Sequence, residues 1–232
     1  MEFREWEKYY SQILLDFGYD RAKDEEAAAL LAELSAQKKL ATVEELRVHL
    51  ADKEVFVFGD GPSLREAVGN DNFEGTLIAA DGATSALMEK GLVPQLIVTD
   101  LDGKVEDQLA ANEKGATVVV LAHGDNMEAL RQWVPKFEGE LVATSQSAPV
   151  RHLLSFGGFT DGDRAVFLAD HFGARTITLV GFDFGSDRGR GSPSDYEEEI
   201  DLNDRDKVKM RKLTWANVLI AMLDNPAISF YR

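Results

Sequence analysis

The chain has 232 residues, no cysteine and a formal net charge of −16, which excludes disulfides and thiolate metal sites and sets it against duplex nucleic acid and anionic membranes. It is 44% hydrophobic, enough for a sizeable core, yet no run approaches the roughly 20 apolar residues of a membrane span. The charged start, MEFREWEKYYSQ, lacks the apolar centre of a secretory signal, so the expectation is a soluble, cytoplasmic protein.

Residues 1–50 read as helices. EWEKYYSQILLDF has apolar residues at helical spacing, and DEEAAALLAELSAQKKL begins acidic and ends basic, in the sense of the helix macrodipole. Thr42 stands three residues before Glu45, the spacing of a capping box. Every acidic loop lies beyond this region, so 1–50 is expected to be a helical appendage and 51–232 the catalytic domain.

From residue 54 the pattern changes. Short apolar runs appear at 55–58, 76–80, 96–99, 117–122, 140–144 and 176–180, most of them separated by stretches that can form helices. Strands alternating with helices imply a parallel sheet covered on both faces, a three-layer α/β domain. In such sheets ligands bind beyond the carboxyl ends of the strands. The segments at those ends are GDGPSL, DGATSAL, DLDG, HGDN and GFDFG. One such loop is ordinary turn chemistry; five at one edge point to a functional site.

Each loop offers particular chemistry. GDGPSL presents Gly59, Gly61 and Ser63 either as a simple turn or as amides for phosphate at a helix start; it is not the Walker pattern. Asp100 and Asp102 can face one hard cation, which takes oxygen ligands and bridges them to phosphate. Asp125 can join that shell. His123 can donate to phosphate or act as a base, with a structural role at nearly even odds; His49, His152 and His171 have no zinc spacing and read as structural. In SFGGFTDGDRAVFLADHFGA, Phe156 and Phe159 could flank a flat ring. Asp161 or Thr160 could cap a helix, or an aspartate could bind a donor-rich heterocycle edge. Arg188 and Arg190 sit in a long polar segment suited to a flap over phosphates. Lys207, Lys209, Arg211 and Lys212 open the last helix, where cations oppose its dipole; a polyphosphate site would be one reason to keep them, a solvated face the commoner one.

Taken together, GDGPSL, ADGATSALMEKGLVPQLIVTDLDG, AHGDN, GGFTDGDRAVFLA and GFDFG resemble the archaeal 6-hydroxymethylpterin diphosphokinase family, the MptE-like proteins. A more distant likeness is to thiamin pyrophosphokinases, through Asp81, Gly82, Gly91, Pro94 and TDLDG. The chain departs from those at Thr99 and Gly103 and lacks their KDxTD pattern. The MptE-like resemblance implies a thiamin-pyrophosphokinase-like, Rossmann-like sheet. It implies magnesium-dependent transfer of a pyrophosphoryl group from ATP to 6-hydroxymethyl-7,8-dihydropterin, in tetrahydromethanopterin or folate-type synthesis. It implies small-molecule substrates, no nucleic acid and no membrane, with a homo-oligomer left open. Asp100, Asp102 and Asp125 would then hold metal, with Asp100, Asp102 and His123 catalytic. Gly59, Gly61, Ser63, Asp81, Gly82, Asn126, Arg188 and Arg190 would meet ATP. Phe159, Thr160, Asp161, Asp163, Arg164 and Asp183 would meet the pterin, with one of Asp161 and Asp163 left open to serve the metal instead. The competing readings are a metal-dependent nucleotide-sugar glycosyltransferase, a thiamin pyrophosphokinase-like enzyme and a nucleotide sensor without turnover.

Overall fold

The computed structural model describes residues 1, 3–184 and 204–231. Six expected strands form: β1 Glu54–Phe58, β2 Thr76–Ala80, β3 Leu96–Thr99, β4 Thr117–Ala122, β5 Leu141–Ser145 and β6 Thr176–Val180. A short seventh, β7 Ile228–Phe230, was not foreseen; three residues carry too little apolar periodicity to be read. All pairings are parallel, in the order β5-β4-β3-β2-β1-β6-β7.

The alternation of side chains explains the layers. Val55 and Val57 of β1 point to one face and Phe58 to the other; Ile78 of β2 and Val119 of β4 join the first face, while Ala79, Val118 and Val120 join the second. Successive parallel strands need right-handed crossovers. From β1 to β5 the chain steps in one direction, so α4 Leu64–Asn70, α5 Ala83–Glu89, α6 Val105–Glu113 and α7 Met127–Trp133 cover the same face. It then returns past four strands, and α8 Asp161–His171 and α9 Arg205–Met222 cover the opposite face. The return places the amino end of α8 at the carboxyl edge of the middle strands, where the acidic loops open.

The first three helices are α1 Phe3–Phe17, α2 Arg21–Ser35 and α3 Val43–Leu50. Thr42 and Glu45 form the expected capping box at the start of α3. The helices do not stand apart as an appendage. Trp6, Tyr10, Ile13 and Phe17 of α1 are buried against Phe159, Phe167, Trp215 and Leu219. Ala27, Ala28, Leu31 and Ala32 of α2 lie in the core of one sheet face, and Leu46 and Leu50 of α3 in that of the other. Small alanines let α2 approach the sheet closely, and burial of that apolar surface, at about 25 cal/mol per Å², makes the segment integral to the fold. Polar ties add to it: Asp16 accepts from Arg211 at 2.9 Å and from Trp215 Nε1 at 2.6 Å. Among the described residues no helix is long and apolar enough to cross a membrane.

Candidate active site

The sequence TDLDG owes its geometry to the residue between the aspartates. Leu101 has φ +69, a conformation unfavourable for a residue with a Cβ. It is held there because its side chain is buried in the core and its amide donates to Thr99 Oγ1 at 2.8 Å. The kink directs Asp100 inward and leaves Asp102 exposed. Asp81, ending β2, also has a positive φ, +38. Its Oδ1 accepts from Thr99 Oγ1 at 2.6 Å and Gln108 Nε2 at 2.8 Å. A Cβ on Gly103 would collide with the Asp81 carboxylate, which accounts for glycine at that position.

Carboxylate oxygens of Asp81, Asp100 and Asp161 lie within 4.8 Å of one another. Asp161, the first residue of α8, has a buried Oδ1 with no hydrogen-bond partner. Three converging carboxylates with an orphaned buried oxygen either hold protons or, when ionised, can hold a cation among them. All-oxygen donors suit a hard divalent ion such as magnesium. The grouping differs from the expected Asp100, Asp102 and Asp125. Asp102 is turned outward beside it, and Asp125 lines the cavity outside the triad. Asp81, placed by sequence with ATP, comes instead to the candidate metal position, and of Asp161 and Asp163, either of which the sequence allowed to serve the metal, it is Asp161 that joins it.

Without a cation these groups resist ionisation. Burial, then the charges of Asp100 and Asp81, push Asp161 well up. Burial likewise raises Asp81 despite its hydrogen bond from Thr99. Burial and the charges of Asp100 and Asp81 push Asp102 up to about 7. Asp100 alone goes down: burial opposes its ionisation, but hydrogen bonds from His123 and Asp102 outweigh it. A carboxyl with a raised folded-state pKa binds more protons folded than unfolded. Stability of the metal-free protein from these groups is therefore lost as pH rises, for Asp102 between about 4 and about 7. Magnesium binds the ionised cluster, so the rise in melting temperature on adding it is expected to be larger at pH 8 than at pH 5.5. Thermal scans at both pH values check this; equal increments would contradict it.

His123 follows β4. Its Nε2 lies 3.2 Å from Asp100 Oδ2, and its Nδ1 accepts from the Asp125 amide at 3.3 Å. Both nitrogens are engaged, so the ring orients Asp100 rather than presenting a free base nitrogen. Asn126 is a brace. Its amide donates to Asp100 O at 2.8 Å and Leu121 O at 2.7 Å, and its Oδ1 accepts from the His123 amide. A role at phosphate does not fit this buried, bridging geometry.

Above the carboxylates opens a cavity of about 340 Å³, within the range of small-molecule sites. Of the residues singled out in the sequence, Asp100, Asp102, His123, Asp125, Phe159, Thr160 and Asp161 line it. The sequence reading missed most of its other wall, Gly18, Tyr19, Asp20, Lys23 and Asp24 around the α1–α2 turn and Gln146 after β5; Lys212 of α9, one of the cations noted at the start of the last helix, joins them. Asp24 ties that wall down, accepting from Gly124 N at 2.7 Å and Tyr10 Oη at 2.7 Å.

Several expected contacts lie elsewhere. Asp163 is fully buried and its oxygens accept from the Phe159 and Thr160 amides at 2.6 and 2.7 Å, in a capping box with Thr160. It holds the loop and has no free face for a pterin. Arg164 is buried too, donating to Gly158 O at 3.2 Å and Thr144 Oγ1 at 2.9 Å. Phe156 packs between His171 and Phe172, away from the cavity. The GDGPSL loop is closed against the segment that follows β6. Gly59 and Gly61 donate to Val180 O and Gly181 O, and Ser63 N and Oγ both donate to Asp183 at 3.0 Å. Those amides are unavailable to phosphate, and Asp183 is a partner of Ser63 rather than part of the acidic cavity. Gly82, at the start of α5, lies against the Asp60 carboxylate. Arg188 and Arg190 fall outside the described residues.

The fold and site define an α/β protein whose strand ends gather carboxylates around one cation-sized volume beside a small-molecule cavity. The profile of 6-hydroxymethylpterin diphosphokinase MptE-like proteins matches residues 29–189. The chain belongs to that family of enzymes. It is 46% identical to a "6-hydroxymethyl-7,8-dihydropterin pyrophosphokinase" of Methanothermobacter thermautotrophicus, over 97% of this chain and 96% of the relative. Relatives of the same name from Pyrococcus furiosus (43%, 97% and 95% covered) and Methanocaldococcus jannaschii (37%, 100% of both) align as fully. Among solved structures, a MAf glycosyltransferase from Magnetospirillum magneticum AMB-1 matches with TM-score 0.51 and 16% identity, over 89% of this chain and 35% of that one. That likeness concerns the fold alone.

Proposed function

We propose that the chain transfers the β,γ-pyrophosphoryl group of ATP to the hydroxymethyl group of 6-hydroxymethyl-7,8-dihydropterin, with magnesium, giving the pterin diphosphate and AMP. This would place it in tetrahydromethanopterin or folate-type cofactor synthesis. The observation that carries the reading is the convergence of Asp81, Asp100 and Asp161, with an unpartnered Asp161 oxygen, where Asp100 and Asp161 line the cavity. The names of the relatives supply the substrate.

Asp81, Asp100 and Asp161 would hold magnesium, which supplies charge neutralisation for phosphate oxygens. The remaining work belongs to the chain. Phosphoryl-type transfer is mostly positioning and electrostatics. His123 and Asn126 fix Asp100 from two sides. Thr99 and Gln108 fix Asp81. The Thr160–Asp163 capping box fixes the turn that carries Asp161. Asp102, at the exposed side of the cluster and with its raised pKa, is placed to take the proton of the attacking hydroxyl. Phe159 gives the cavity an aromatic surface for a flat ring.

The test is incubation with ATP, magnesium and the dihydropterin alcohol, read by mass spectrometry. Equal amounts of AMP and pterin diphosphate are expected. Stoichiometric ADP and pterin monophosphate would mean an ordinary kinase and overturn the reading. Turnover only with a nucleotide sugar would favour a glycosyltransferase.

A further inference from the structure

The carboxylates account for a cation but not for the phosphate chain itself. A polyphosphate entering an acidic cavity needs fixed positive charge from the protein as well, and the expected source, the GDGPSL amides, is closed. Two cationic side chains line the cavity, Lys23 and Lys212. Neither forms an ion pair with a carboxylate among the described residues, although other basic residues of those elements do: Arg21 pairs with Glu7, Lys207 with Asp204 and Arg211 with Asp16. Lys23 stands in the first turn of α2, where a cation opposes the helix dipole. Lys212 is half-buried, 5.8 Å from the Phe159 ring centroid, with its charge felt by Tyr19 on one side and Asp102 on the other. An ammonium hydrogen-bonded to Tyr19 and near an aromatic ring, with no carboxylate ion-pair partner among the described residues, is a ready phosphate ligand beside a carboxylate cluster.

We propose that Lys212, assisted by Lys23, grips the phosphate chain of the nucleotide, so that the two ends of the protein complete a site whose carboxylates come from its middle. Both lysines lie outside residues 29–189, the span shared with the family profile. Tyr19 is the positioning residue, walling the Lys212 ammonium against the cavity. The proposal rests on the reading of the cavity as a polyphosphate site, and its test needs no turnover.

The test is calorimetric titration of the full chain with inorganic tripolyphosphate in magnesium, and separately with manganese alone. Wild type, Lys212→Met, Lys212→Arg and Lys23→Met are compared. Lys212→Met is expected to weaken tripolyphosphate binding at least tenfold and Lys23→Met several-fold, with Lys212→Arg recovering part of the loss. Manganese alone should bind Lys212→Met as tightly as wild type or more tightly, because a like charge has left. These opposite signs separate a phosphate ligand from a structural residue. Unchanged tripolyphosphate affinity in Lys212→Met, parallel loss of both ligands, or no tripolyphosphate binding by wild type would overturn the proposal. Failure of pterin diphosphate formation with this pattern intact would count against the pterin reaction and leave the clamp standing.

Discussion

Asp100→Asn is expected to lower turnover about 10³-fold while leaving the melting temperature of the metal-free protein unchanged or slightly higher. The rate loss follows from charge. Metal-borne neutralisation of a transferring phosphate is worth several kcal/mol, and each 1.36 kcal/mol is tenfold. The stability follows from repulsion. Asp100 shares its small volume with Asp81 and Asp161, so removing one charge relieves the other two. Asparagine keeps an oxygen to accept from the Asp102 amide, now at 3.2 Å. Asp161→Asn should behave alike, because its orphaned oxygen is the third corner. Asp125→Asn, outside the triad, should cost less than about tenfold on the same scale. Steady-state kinetics and thermal scans of the three variants check this. Equal loss at Asp100 and Asp125 would restore the grouping that sequence spacing suggested.

Trp6→Ala is expected to be the most damaging single change away from the site. Trp6 is fully buried, edge-on to Phe167, and its Nε1 donates to Gln146 O at 2.9 Å across 140 residues of chain. Truncating a buried tryptophan costs about 3–5 kcal/mol, a large part of the roughly 5–15 kcal/mol stability of a domain. The same change frees the carbonyl at a cavity-lining residue, so magnesium–nucleotide binding should weaken together with stability. Removing residues 1–35 should be worse, leaving a sheet face bare and deleting Tyr19, Lys23 and Asp24 from the cavity wall. Urea denaturation and nucleotide binding by Trp6→Ala check the account. A soluble truncated chain with native nucleotide affinity would show that the helices are an appendage after all.

Most of the sheet was legible because five of its strands are compact apolar runs ended by Gly, Asp or His, and parallel sheets bury both faces. The edge that carries the site followed from that. The membership of the metal triad did not, because it depends on which side of a kink each carboxylate falls. In DLDG the spacing is symmetrical; only the φ of Leu101, fixed by its burial, sends Asp100 inward and Asp102 outward. The fate of Asp163 was readable: Thr160 stands three residues before it, the spacing of a capping box, with aspartate in place of the usual glutamate. The wall from α1–α2 left no motif. Tyr19 and Lys23 are ordinary surface types, and their place is set by α2 packing against the sheet beside β5 and α7.

ATP labelled with phosphorus-32 at the β position, supplied with magnesium and the dihydropterin alcohol, tests the reaction at the bond that matters. Orientation of the phosphate chain decides which phosphorus stands in line with the hydroxyl. With the β-phosphorus in line, the label should leave with the pterin product and the nucleotide released should be unlabelled AMP. Label retained entirely in released ADP, with only γ-phosphorus reaching the pterin, would contradict pyrophosphoryl transfer at this site.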